Sequence, residues 1–300
     1  MTIGIQYEID ARALRRRRDR IAARYDGAAV LPGELGRRML ERLDVVRLPE
    51  GPLLDLGCAT GGGVRALRER YPDAEVYGVE ASRSMLTRAR DQDPGRLRWL
   101  PRLSGRASRW VCADMSRLPF RPGSFAMVWA NLLPPVFTDP AAHWRAIGAL
   151  LRPGGLLTFT MLGPDSLGEL RSATRLAGLP ATVMPFADMH DIGDVLVAAG
   201  FANPVMDMER ITLTYPDFPA LCRELRDLGA DDPSVRRRRG LLGPRRWAAV
   251  ETQYERHRLD GRLPLTVEVV YGHAWWPEQG PARTAEGLDV IRVHRIRGSR

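Results

Sequence analysis

The chain has 300 residues, 44% hydrophobic and 27% charged, a globular balance that supports a sizeable core. Its formal charge is +9, and all 45 basic residues are arginine because no lysine occurs, so its field attracts acidic partners. The most apolar stretch, residues 147–162, is broken by Arg152, Pro153, Gly154 and Gly155, so no run reaches the roughly 18–20 apolar residues that span a bilayer.

Cys58, Cys112 and Cys222 lie far apart and form no CxxC pair, which excludes a disulfide framework and a zinc-site spacing. His143, His190, His257, His273 and His294 show no metal spacing either, and no metal is expected. Arg15 to Arg18 sits where the apolar region of a signal peptide would run, so the chain is expected in the cytoplasm.

Residues 1–48 read as basic and helical. Leu14, Ile21 and Tyr25 fall near helical spacing within 11–25, and Leu35, Met39, Leu40, Leu43 and Val46 do so within 33–48. The pattern then alternates. Short apolar strands are expected at 52–56, 75–79, 109–112, 125–130 and 155–161, with helices at about 63–71, 82–92 and 143–151 between them. Such alternation implies βαβ units and a mainly parallel, doubly wound sheet. Further on, helices are expected at 166–177, with Ser166 and Glu169 at capping-box spacing, and at 189–199. Strands follow at 205–214 and 265–275, separated by a helical insertion at about 218–259 that carries the run Arg236 to Arg239. The division is an N-terminal helical lid (1–48), a cofactor-binding domain (49–276) and a Gly-, Pro- and Arg-rich tail (277–300).

The strongest chemical signal is the run from Leu53 to Gly63, LLDLGCATGGG, in which a strand ends in an acid and a glycine loop opens a helix. Gly57 and Gly61 let the backbone approach a ligand, and the helix N-terminus offers free N–H groups to an anion. The loop also approximates the dinucleotide fingerprint. Position supplies the rest. Glu80 closes the second strand, 25 residues after Asp55, where a carboxylate takes both hydroxyls of a ribose. Asp114 and Met115 follow the third strand, where an acid accepts from an adenine amino group and a thioether covers the ring. Asn131 closes the fourth strand, beside a reaction centre. All lie at carboxyl ends of expected strands and converge on one rim.

This spacing, with LLDLGCATG, VYGVEAS, CADMSRLPF and LLRPGG, resembles class I S-adenosylmethionine-dependent methyltransferases over about residues 50–162. The segments RIAARYD (20–26), LGPDSLGELR (162–171), MHDIGDVLVAAGF (189–201) and LPLTVEVVYGHAW (263–275) are similar to the malonyl-acyl-carrier-protein O-methyltransferases of biotin synthesis, and extend the likeness to about 10–276. The resemblance implies S-adenosylmethionine as cofactor and the free carboxylate of malonyl-acyl-carrier protein as acceptor. A carboxylate is ionised at neutral pH, so methyl transfer to it needs no general base. Arg171 is the candidate to hold it, by planar bidentate pairing, and Tyr25 to orient it or to close over the cofactor. The two arginine runs would steer the acidic carrier protein. Two positions depart from the family pattern: Leu133-Pro134-Pro135 follows Asn131-Leu132, and Arg18 stands seven residues before Tyr25 in place of an aromatic.

Other readings stay open on sequence. They are a methyltransferase with another acceptor, small molecule or nucleic acid, and a protein-modifying assembly factor, since LGPDSLGELR and DIGDVLVAAGF also resemble a mitochondrial complex I assembly factor. A cofactor-binding subunit without activity is a further one. A nicotinamide dehydrogenase is disfavoured, because no lysine exists for a Tyr-x-x-x-Lys pair, and nucleic acid is disfavoured because no RNA-binding module is recognisable.

Overall fold

The computed structural model describes residues 10–93, 108–134, 139–179, 183–230 and 243–278. Pro135, the run Arg236 to Arg239, His294 and nearly all of the 277–300 tail lie outside them. Seven strands form one sheet: β1 (Leu53–Leu56), β2 (Val76–Glu80), β3 (Arg109–Cys112), β4 (Phe125–Ala130), β5 (Leu151–Leu162), β6 (Ala202–Tyr215) and β7 (Leu263–Trp275). Their order is β3-β2-β1-β4-β5-β7-β6. The first five pair in parallel, and β7 enters antiparallel between β5 and β6.

Helices cover both faces. Before the sheet come α1 (Ala11–Ile21), α2 (Tyr25–Ala28) and α3 (Val30–Arg42), and within it α4 (Gly62–Arg70), α5 (Arg83–Asp91), α6 (Pro140–Gly148), α7 (Gly168–Leu176) and α8 (Met189–Ala199). Between β6 and β7 lie α9 (Phe218–Leu228) and α10 (Pro244–Tyr254). One core joins Met127 and Trp129 of the sheet to Leu35, Met39, Val64, Leu67, Phe218 and Tyr254. A second joins Val128, Ala130 and Phe159 to Trp144, Ile147 and Leu196, and a small third cluster sets Ile21 and Ala22 against Met85. β4 is therefore buried along its whole length, which explains its unbroken apolar run.

Several boundaries differ from expectation for local reasons. The 11–25 helix breaks into α1 and α2, because the Arg24 N–H turns back to the Ile21 carbonyl (2.8 Å). The 33–48 helix starts earlier, at Val30, and ends at Arg42, where the N–H groups of Leu43 and Asp44 close onto Leu40 and Glu41. The helix expected from residue 143 begins at Pro140, with the Asp139 side chain accepting from the Ala142 N–H. The capping box at Ser166 and Glu169 does not form. Ser166 Oγ instead exchanges hydrogen bonds with the Glu268 backbone, and Glu169 accepts from the backbone N–H and hydroxyl of Thr266. Both side chains pin α7 to β7.

Candidate active site

β1 is flanked by β2 on one side and β4 on the other, so a crevice opens beyond its carboxyl end, where strand order reverses. The loop after β1 folds back on β2, with the N–H groups of Gly57 and Cys58 both reaching the Val79 carbonyl at 2.9 Å. Gly61, at φ +83°, precedes α4, and a Cβ there would lie 2.5 Å from the Trp110 ring. At Gly63 a Cβ would lie 2.5 Å from Asp55 Oδ2. Glycine at these positions lets the N-terminus of α4 descend onto the acid.

Asp55 is buried beneath this loop, 3% exposed. Burial pushes its carboxyl up to about 7, against the hydrogen bond from the Val64 N–H that pulls it down; the charge of Glu80 adds to the rise. Glu80 is also buried, and it bridges two loops: Oε2 accepts from the Ala59 N–H (3.3 Å) and Oε1 from the Ser82 N–H (2.9 Å). Asp114 is exposed, with Oδ1 accepting from the Ser116 N–H and hydroxyl, and Met115 is half-buried beside it. Asn131 uses both ends of its amide inside the protein. Nδ2 donates to the Pro32 carbonyl (2.8 Å), and Oδ1 accepts from the Thr160 hydroxyl (2.7 Å). It therefore ties the end of β4 to α3 and to β5.

The N-terminal helices close over this rim through two carboxylates that the sequence does not single out. Asp26 accepts from the Thr60 hydroxyl (2.5 Å) and the Gln92 amide (2.7 Å), with Arg88 at 3.6 Å. Asp19 accepts from the Ser82 hydroxyl (2.6 Å) and the Ser84 N–H (3.2 Å). Burial raises both carboxyls, but these hydrogen bonds and nearby arginines outweigh it and hold them below the ordinary range. In the sequence Asp19 shows only as an acid set among arginines, and Asp26 as the last residue of the RIAARYD segment. Tyr25 faces the same space, with the Arg18 guanidinium 5.8 Å from its ring centroid. Burial pushes its phenol up, so it is protonated at neutral pH.

Asp55, Gly57, Glu80, Asp114, Met115, Asn131 and Tyr25 all line one cavity of about 1230 Å³. Gly61 stands behind its wall as the left-handed residue before α4. From the rim the cavity runs into an apolar chamber under α7, α9 and α10, walled by Leu170, Phe186, Leu213, Leu225, Trp247 and Val267. The structure does not bring Arg171 to this wall. Its guanidinium turns back to the carbonyls of Pro164 (3.1 Å) and Ser166 (2.7 Å), because α7 presents that face to the loop after β5. The first arginine run divides: Arg15 and Arg16 are exposed, whereas Arg17 and Arg18 line the cavity. Trp276 packs on Phe201, ring centroids 5.2 Å apart. Among the described residues no group of three or more His, Cys, Asp or Glu is placed to hold a metal.

A crevice of this form, at the switch point of a doubly wound sheet and edged by acids at successive strand ends, defines a class I S-adenosylmethionine-dependent methyltransferase. The methyltransferase-domain family model matches residues 54–159, within the sheet that builds the rim. The solved YcgJ protein of Bacillus subtilis shares the fold, with a TM-score of 0.54 at 14% identity, covering 82% of this chain and 100% of that one. The malonyl-acyl-carrier-protein O-methyltransferase of Laribacter hongkongensis is 48% identical over 281 residues, covering 92% of this chain and 93% of that protein. Its counterpart in Halorhodospira halophila is 42% identical over the full length of both chains. The chain belongs to the malonyl-acyl-carrier-protein O-methyltransferase family.

Proposed function

We propose that the chain methylates the free carboxylate of a malonyl thioester carried on acyl-carrier protein. The observation that carries this reading is the single cavity joining the acidic rim to the apolar chamber. At about 1230 Å³ it exceeds the roughly 300–1,000 Å³ of a one-ligand pocket, leaving room for a cofactor and the reacting end of a second molecule.

S-adenosylmethionine, when bound, would supply a methyl carbon on a sulfonium, which a carboxylate lone pair would take as the C–S pair leaves with sulfur as a neutral thioether, with no proton to move. The protein's part is to position and to exclude water. Glu80 would take the ribose hydroxyls, and Asp114 and Met115 the adenine. The Gly57–Gly61 loop and the N-terminus of α4 would receive the methionine carboxylate, with Asp55 supporting that loop from below. Asn131 shapes the wall at the reaction centre. Tyr25, a phenol at neutral pH, donates to the acceptor. The helices before β1 act as a lid, tied down by Asp19 and Asp26. The exposed arginines of α1, with the run Arg236 to Arg239, steer the acidic carrier protein. No helix among the described residues is long and apolar enough to cross a membrane, and we place the reaction in the cytoplasm with the carrier protein.

The test is transfer of label from S-adenosylmethionine to malonyl-carrier protein, with acetyl-carrier protein as the control lacking a free carboxylate. Label on the malonyl form alone, as a base-labile ester, is the expected result. Cofactor binding without transfer to either form would overturn the acceptor. Asp55→Ala and Glu80→Ala are each expected to abolish calorimetric cofactor binding, and unchanged affinity in both would overturn the cofactor site.

A further inference from the structure

Five arginines line the cavity: Arg17, Arg18, Arg37, Arg65 and Arg226. Their surroundings separate them. Arg37 is bound to Glu34 and Glu41 on its own helix. Arg65 donates to the Thr60 carbonyl at 2.9 Å and so belongs to the glycine loop. Arg17 lays its methylenes under Gly229 of α9, where a Cβ would meet its Cδ at 3.5 Å. Arg226 is exposed. Arg18 differs from all of these. It is half-buried in the wall, has no carboxylate partner among the described residues, and its guanidinium stands 5.8 Å from the Tyr25 ring centroid.

The place of this pair in the fold matters. Tyr25 opens α2, which packs against α9 of the apolar chamber, while the next residue, Asp26, is bonded to Thr60 of the glycine loop. The pair therefore stands between the cofactor loop and the chamber. The anionic end of the cofactor already has the N-terminus of α4, so the cation left over answers to a second anion. A half-buried guanidinium beside a neutral phenol gives a carboxylate a planar fork and a third donor. It holds the anion through hydrogen bonds and leaves a lone pair for attack.

We infer that Arg18, with Tyr25, is the clamp that binds the acceptor's free carboxylate and sets the preference for an acid over an ester or a plain acyl thioester. This rests on the proposed carboxylate methylation. It also moves the cation assigned by sequence from α7 to α1.

The experiment compares the full-length protein with Arg18→Gln and Arg18→Lys. Steady-state kinetics would use malonyl-carrier protein, calorimetry would give S-adenosylmethionine affinity, and thermal melting would check folding. Binding of the methyl-ester product, which lacks the carboxylate, would be measured in parallel. Arg18→Gln is expected to raise KM for the malonyl acceptor about ten- to hundredfold, leaving cofactor and product affinity unchanged. Arg18→Lys should fall between, because it keeps the charge and loses the fork. A structural defect would weaken product binding as much as acceptor binding. An unchanged acceptor KM overturns the inference, and so does a loss confined to cofactor affinity, which would place Arg18 on the methionine carboxylate. If the wild type transfers nothing to the malonyl form, the proposed function fails first and takes the clamp with it. If it transfers and the variants match it, only the clamp fails.

Discussion

Ala59 holds φ +46°, in the left-handed region that side chains with a Cβ rarely adopt, because its N–H must face Glu80. That conformation costs about 1 kcal/mol. Ala59→Gly is therefore expected to stabilise the protein by about 1 kcal/mol in denaturant melts, without loss of cofactor affinity. Asp55 carries a larger cost. Its folded-state pKa of about 7 lies above the ordinary value of 3.8, so the folded chain binds the proton more tightly than the unfolded one. The resulting stabilisation is complete below that ordinary value and is lost as pH rises toward 7. In the cofactor-free protein, Asp55→Asn should gain on wild type across this range, by up to about 4 kcal/mol at pH 8. A stability difference between the two proteins that is flat with pH would show Asp55 to be ionised throughout. Arg171→Ala should lower stability by about 1–3 kcal/mol through the loop carbonyls it leaves unpaired. A selective rise in acceptor KM would return Arg171 to the cavity.

At the scale of elements, the proposed lid is held by few groups. α1 and α2 meet the rest of the chain mainly through α5 and α9, and Asp19 and Asp26 supply the polar ties to the loops after β1 and β2. Asp19→Ala with Asp26→Ala should increase amide exchange across 11–28 while leaving β1 and β4 protected. Both carboxyls are depressed in the folded state, so the stability they contribute is present above the ordinary carboxylate range and is lost as pH falls below it. Lid exchange should therefore accelerate in acid before the sheet opens, and simultaneous exposure of lid and sheet would refute this order. The element boundaries that differ from expectation share one origin. Periodicity reports which residues are apolar, and the terminal turns are decided by hydrogen bonds, as at Arg24 and Asp139.

For the whole molecule, the charge of +9 divides between arginines that are bound inside the structure and arginines that are exposed. Arg38, Arg42 and Arg68 are paired to acids across the fold, so only part of the excess faces a partner. If the exposed face of α1 steers an acidic carrier protein, KM for that protein should rise between about 50 and 300 mM salt, while cofactor affinity changes little. Arg15→Ala with Arg16→Ala should flatten that dependence. An equal slope in wild type and variant would assign the steering to other surfaces.

The sequence by itself determined the parallel half of the sheet, the glycine loop and the acids at the ends of β1, β2 and β3. These are local matters. A short apolar run bounded by turns names a buried strand, and its last residue is fixed by the chain. Only the tertiary structure decided where the long side chains go. Arg171 and Arg18 look alike on two basic helices, yet one closes on the Pro164 and Ser166 carbonyls and the other stands in the cavity against Tyr25. Asp26 finds Thr60 34 residues away, and Ser166 finds Glu268 102 residues away. Helical spacing says that a side chain lies on a face; which element packs against that face is set by the burial of the two large cores, and that is a property of the whole chain.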